Sequence, residues 1–185
     1  MKYVTKHIMN RIETNWYVIT GGPCTGKTTM VNMLSERGYK TTIEHARHYI
    51  DTQKDQGETV EAIRENKRQF QTGILKMQIE EEQGLDPNDV VFLDRAIPDA
   101  EAYYNFLGLE YDDLLIDAMG QYCYKKVFIL DRLTLIQDYA RREDESEQIR
   151  IHNLIIKVYE YEPCPVFYIP VLDPESRVQL ILDNL

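Results

Sequence analysis

Apolar residues recur along the chain in two rhythms: short unbroken runs, and longer stretches spaced by three and four. Trp16-Tyr17-Val18-Ile19-Thr20 is the first such run, and it ends at a glycine pair. Residues 25–37 then read as a helix closed by Gly38, with Met30, Val31, Met33 and Leu34 facing inward. Residues 39–43 are rich in β-branched side chains and predict a second strand. Val60, Ile63, Lys67, Phe70, Ile74 and Met77 keep a helical spacing, which predicts one long helix over 58–83 ended by Gly84. Residues 90–93 (Val-Val-Phe-Leu) form an apolar run expected of a strand buried on both faces. Two short helices follow, near 99–107 and 111–119, each closed by a glycine. Residues 126–130 predict the fourth strand, 146–161 a helix, 166–169 the fifth strand, and 174–184 the last helix.

Five short strands alternating with helices imply βαβ units and a parallel sheet, because the crossovers supply the helices that cover its faces. The right-handed crossover restricts the topologies to a few. The expected fold is α/β, a three-layer α/β/α sandwich in a single domain over 1–185, with its core over 16–184.

Composition narrows the function. With 21 basic and 31 acidic residues the formal net charge is −10, which argues against a nucleic-acid partner. No apolar run approaches the ~20 residues of a membrane span, so no membrane segment is expected. Residues 1–16 alternate charged and apolar side chains and lack the apolar core of a secretion signal. The three cysteines, Cys24, Cys123 and Cys164, are an odd number at no metal-like spacing and fit a reducing compartment. A cytoplasmic location is expected.

Gly21-Gly22-Pro23-Cys24-Thr25-Gly26-Lys27-Thr28, followed by Thr29, matches G-x-x-x-x-G-K-[ST], the P-loop. Glycines let successive backbone N–H groups turn towards phosphate oxygens, and the following helix N-terminus adds partial positive charge. In this reading Lys27 meets the β- and γ-phosphates of ATP, and the Thr28 hydroxyl ligates Mg²⁺. A metal-orienting acid is needed at the end of a neighbouring strand. Asp94 and Asp131 both end apolar runs, each followed by an arginine.

The chain resembles the NadR-like AAA/P-loop domain family, whose best understood relatives are ribosylnicotinamide kinase domains. The resemblance rests on 19–29, on Glu44-His45-Ala46-Arg47, on Phe92-Leu93-Asp94-Arg95 with Ile97-Pro98-Asp99 and Ala102-Tyr103, and on Asp138, Arg141 and Glu143 before Ile151-His152. It implies the kinase-like strand order 2-3-1-4-5. In that order the third strand flanks the P-loop strand, so Asp94 is the Mg²⁺-side acid, and Asp131 either opens the connection to a lid over 132–146 or simply caps a strand end. The resemblance gives the nucleotide and leaves the acceptor open.

Glu44 and Arg47 share a helix face at the carboxyl end of the second strand, where open α/β sheets bind ligands. Glu44 is a candidate base and Arg47 a candidate anion clamp, although the same spacing also describes an exposed ion pair. Arg95 and Asp99 are candidates for acceptor binding, with Asp99 equally able to cap a helix. Arg141 is the candidate lid arginine that neutralises the transferring phosphoryl group. His45 and His48 lack a third ligand for a metal site. The run 80–82 (Glu-Glu-Glu) reads as a solvated helix end, the tyrosines as rim residues, and the Cys24 side chain as pointing outward. Together these point to Mg²⁺-dependent phosphoryl transfer from ATP to a small nucleoside- or nucleotide-like acceptor. The alternatives are a regulatory ATPase and a non-catalytic ATP-binding module. Arg95 stands where such an ATPase often has a water-activating glutamate, and no GTP-specific N-K-x-D segment occurs.

Overall fold

The computed structural model describes residues 11–133 and 144–185. Its main sheet contains β2 (Trp16–Thr20), β3 (Lys40–Thr41), β4 (Val91–Asp94), β6 (Lys126–Leu130) and β7 (Val166–Ile169). They are all parallel, in the order β3-β4-β2-β6-β7, which is the expected 2-3-1-4-5. A second, two-stranded parallel pair, β1 (Ile12–Glu13) with β5 (Tyr122–Cys123), was not visible in the pattern because each strand is only two residues long.

Both faces of the sheet are buried, as the unbroken apolar runs require. Tyr17, Ile19, Phe92, Phe128 and Leu130 pack under α1 (Lys27–Glu36) and α8 (Pro174–Leu182). Trp16, Val18, Val91, Leu93, Val127 and Ile129 pack with residues of α5 (Ile97–Leu107) and α7 (Glu145–Tyr159). Alternate residues of one strand therefore serve two cores. Beside them α2 (His45–Asp55), α3 (Val60–Glu65), α4 (Lys67–Gly84) and α6 (Asp113–Ala118) build a helical flank. No helix among the described residues is long and apolar enough to cross a membrane.

Local expectations need five corrections. The long helix over 58–83 is two helices, because Asn66 ends α3 and caps α4 by accepting the Gln69 N–H through its side chain at 3.1 Å. Val90 is exposed and precedes the strand. Glu82 is buried, accepting from Ile97 N–H at 3.2 Å and Tyr124 hydroxyl at 3.0 Å, so only part of 80–82 is a solvated end. Tyr104, Tyr124 and Tyr159 are core residues, each with its hydroxyl on a carboxylate. Cys24 is buried, not outward, with its own φ at +56°.

Candidate functional site

Residues 21–26 lead from β2 into α1, and Gly26 caps that helix with a left-handed φ of 84°. The loop is held from three sides. Its Gly22 N–H donates to Nδ1 of His152, on α7, at 3.1 Å. A Cβ at Gly22 would stand 2.8 Å from the His152 Cβ, so only glycine allows this approach. From α8 the buried Arg177 donates to the carbonyls of Thr25 (2.6 Å), Pro170 (2.9 Å), Asp131 (2.9 Å) and Ile169 (3.3 Å). From the β6 end, Leu133 N–H bonds the Cys24 carbonyl at 3.0 Å.

Lys27 curls over the loop, with Nζ 2.8 Å from the Gly22 carbonyl and 3.2 Å from Thr25 Oγ1. Burial and the nearby Arg95 depress its pKa, while Asp94, Glu44 and Asp99 act against them. Register puts Ile19 opposite Asp94, so this carboxyl stands level with the end of the loop's own strand. Asp94 is 2% exposed, and its Oδ1 has no hydrogen-bond partner among the described residues. Burial, then Glu44, raises its pKa against the pull of Lys27 and Arg95.

Thr28 donates its hydroxyl to Glu44 Oε2 at 3.1 Å, and Arg47 Nε lies 3.5 Å from the same oxygen. The ion pair that stood as the alternative for Glu44 and Arg47 is thus present, and it also touches the P-loop helix. Thr29 faces solvent. Arg95 has a left-handed φ of 69° and donates its N–H to the Ile19 carbonyl at 3.1 Å. A non-glycine residue held there marks a strained site that its surroundings over-determine. Its guanidinium reaches Asp99 Oδ1 at 2.8 Å and Tyr103 hydroxyl at 3.1 Å. Asp99 in turn accepts from Thr20 (2.5 Å), Ala96 N–H (3.2 Å) and Tyr159 (2.7 Å). Its carboxylate is fully committed inside the protein.

These groups open onto one cavity of about 490 Å³ between α2, α4, α5 and the P-loop. Lys27, Thr28, Glu44, Asp94 and Arg95 line its inner part, and Phe70, Ile74, Ala100, Tyr103 and Phe106 contribute apolar surface. Arg141, the expected lid arginine, lies outside the described residues, as does most of the expected lid. Sequence reasoning missed Arg177 and gave His152 no role, since neither lies in a pattern that states a contact across the sheet. Gln71 and Gln78, also on the cavity wall, had one legible signal: they are polar residues on the inward stripe of α4.

A glycine-rich loop closing a parallel strand onto a helix, with an acid on the flanking strand in this strand order, defines a P-loop nucleotide-binding protein of kinase topology. The chain belongs to the AAA domain family, whose model matches residues 16–177. Among solved structures it is similar to deoxyadenosine kinase from M. mycoides with products dCMP and dCDP bound (TM-score 0.62, 18% identity, 91% of this chain and 97% of that one). It is also similar to NadR protein in complex with NR (TM-score 0.63, 18% identity, 92% of this chain and 50% of that one). Thymidylate kinase from Ehrlichia chaffeensis matches with TM-score 0.60 and 14% identity, over 94% of this chain and 98% of that one. At such identities the likeness is one of fold. No curated protein sequence matches the chain.

Proposed function

We infer that the protein is a cytoplasmic, Mg²⁺-dependent kinase that transfers the γ-phosphoryl group of ATP to a hydroxyl of a small nucleoside- or nucleotide-like acceptor. The cavity carries this reading: about 490 Å³ of partly apolar space opens directly on Lys27, Thr28, Glu44 and Asp94. An ATPase that passes phosphate to water needs no such chamber.

The residues divide the work. Loop amides and Lys27 hold the ATP phosphates, and Arg177 and His152 keep the loop in shape. The Thr28 hydroxyl and the unpartnered Asp94 Oδ1 are hard oxygen donors of the kind Mg²⁺ takes, so the set fits that ion. Bound there, the ion neutralises charge on the phosphates. Glu44 accepts the proton of the attacking hydroxyl as the new oxygen–phosphorus bond forms and the bond to ADP breaks. Arg47 and Arg95 supply positive charge at the acceptor end, with Arg95 aimed by Asp99 and Tyr103. Asp99 thus acts on the acceptor through Arg95. Arg141, outside the described residues, is assigned the remaining neutralisation of the transferring group.

The deciding experiment measures ADP formed from Mg·ATP with and without a panel of nucleosides and nucleotides. Acceptor-dependent ADP is expected. Turnover that ignores every acceptor, and survives Glu44→Gln, identifies a regulatory ATPase instead.

A further inference from the structure

The cavity walls run antiparallel, which gives it an inner and an outer end. Late in α4, Glu82 accepts from Ile97 N–H at the start of α5. Early in α4, Thr72 Oγ1 lies 3.5 Å from the Tyr104 hydroxyl, and the Arg68 guanidinium sits 6.0 Å from the Tyr104 ring centre. α7 returns along α5, with Tyr159 bonded to Asp99 at 2.7 Å and the Arg150 guanidinium 5.2 Å from the Phe106 ring centre. The starts of α4 and α7 therefore meet the end of α5. Seven helical residues separate Phe106 from Asp99, which carries this outer end about 10 Å away from the Arg95–Asp99 pair.

Three cations line the outer end. Arg64 and Lys67 stand three residues apart at the junction of α3 and α4, and Arg150 comes from α7. The Arg64 guanidinium lies 5.7 Å from the centre of the Phe70 ring, as Arg150 lies over Phe106, and both rings are cavity wall. Stacking of this kind keeps two planar cations at the cavity rim. Glu147, an acid at the same end, is engaged in its own helix, where its Oε2 accepts Asp144 N–H at 3.1 Å. Lys67 and Arg150 are exposed and have no ion pair among the described residues. In a chain of net charge −10, this cationic rim stands against the sign of the whole molecule. A cleft mouth so charged concentrates anions.

We propose that Arg64, Lys67 and Arg150 form an anion subsite for an acceptor that carries a carboxylate or phosphate at the end away from its reacting hydroxyl. The inference rests on the kinase reading and adds the charge of the acceptor's far end. This anion is distinct from a phosphate presented for attack, which belongs beside Lys27 and Asp94 at the inner end. Guanidiniums pair with either oxyanion through parallel N–H donors, so the two sources share one chemistry. The three cations touch the far end and not the reacting atoms, so they act on acceptor binding rather than on the chemical step.

The test builds an isosteric pair on the nucleoside that turns over with Mg·ATP. For a pyrimidine the pair is 5-carboxymethyluridine with 5-carbamoylmethyluridine, and for a purine N6-carboxymethyladenosine with its amide. The phosphonomethyl analogue of the same nucleoside is the third probe. With the full chain, the charged member is expected to lead its amide by about tenfold or more in kcat/KM, mainly through KM. The lead should shrink as KCl is raised, since rim charges are screened. Lys67→Gln combined with Arg150→Gln should bring the pair to within about threefold. The Tm of that variant should hold, because both side chains are exposed.

A lead by the carboxylate or by the phosphonate supports the subsite, and the larger lead names the source. Equal use of charged and neutral members by the parent, or an unchanged ratio in the double variant, overturns the inference and leaves the kinase reading standing. A variant that raises the KM for ATP and leaves the ratio intact assigns these cations to the donor, and the inference fails. If no nucleoside is bound or phosphorylated, the kinase reading falls and this inference with it.

Discussion

The imidazole of His152 accepts the backbone N–H of Gly22 through Nδ1 at 3.1 Å, which ties α7 to the phosphate loop across the end of the sheet. Burial holds the His152 pKa below the usual histidine value, with Arg132 and Lys27 adding to the effect and Asp131 opposing it. The ring is therefore a neutral acceptor near pH 7. His152→Ala leaves a buried N–H unpaired at about 1–3 kcal/mol, so ATP affinity should fall about tenfold. Protonating Nδ1 breaks the same bond. ATP affinity in the parent should accordingly decline as pH drops below the depressed value, and His152→Ala should lack that acid limb. Calorimetric titration across pH reads both, and identical pH profiles would refute the role.

Asp94 ends β4 and Asp131 follows β6, but of the two only Asp94 has a buried carboxylate oxygen without a hydrogen bond among the described residues. On the proposed role of Asp94 towards Mg²⁺, Asp94→Asn removes a charge the ion needs and should lower the transfer rate by roughly 10²-fold or more. Asp131→Asn should be milder, since the Arg177 clamp uses the Asp131 main-chain carbonyl, which the substitution keeps. Steady-state rates of the two variants decide it. A severe loss confined to Asp131→Asn would reverse the roles.

Glu44→Gln should reduce transfer by about 10²–10⁴-fold, as expected for a lost base, while ATP affinity stays within about threefold. Arg47→Ala should raise the acceptor KM more than the ATP KM, since a guanidinium clamp supplies ground-state binding. Kinetics on one acceptor separate the two, and equal effects on both KM values would contradict this division.

Burial raises the Glu82 pKa to about 8 against hydrogen bonds from Tyr124 and Ile97, with Glu81 and Asp99 adding to the rise. An acid whose folded pKa lies above its unfolded value stabilises the fold fully below the unfolded value of about 4.5, and that stabilisation fades as pH rises towards 8. Glu82→Gln cannot titrate, so its loss of Tm between pH 5.5 and 8.5 should be smaller than the parent's. Thermal unfolding at the two pH values checks this, and parallel losses would mean that Glu82 titrates normally.

Gly73 lies inside α4, where alanine ordinarily gains up to about 1 kcal/mol of helix stability. Here a Cβ would come within 2.1 Å of the Tyr49 ring, which packs on Phe70 beside the cavity. Overpacking of this kind costs about 1–3 kcal/mol, so Gly73→Ala should lower the Tm despite the helical gain. A raised Tm would show that Tyr49 swings away freely.

Much of this molecule is local and was legible in the chain. The strand runs, the glycine-closed helices and the P-loop depend on periodicity, φ preferences and residue spacing, all of which act over a few neighbours. The strand order followed from a family resemblance and a handedness rule, and the sheet has it. Placing Asp94 beside the loop needed that order, and the Ile19–Asp94 register fulfils it. What escaped depends on contacts between residues far apart in sequence. Asn66 interrupts α3 and α4 although the apolar spacing runs through it, because its side chain bonds the next turn better than the helix would. Glu82 looked like part of an acidic surface run until Tyr124 and Ile97 met it in the core. Arg177 lies 152 positions from Thr25, and His152 lies 130 from Gly22. Gln78 is an ordinary polar helix residue until α2 and α5 close a cavity around it. Sequence alone determined the strand–loop–helix motif of the P-loop, because such a loop is written in consecutive residues. Only the tertiary structure decided what holds that loop and which side chains line the cavity beside it, because burial and partner are properties of the assembled fold.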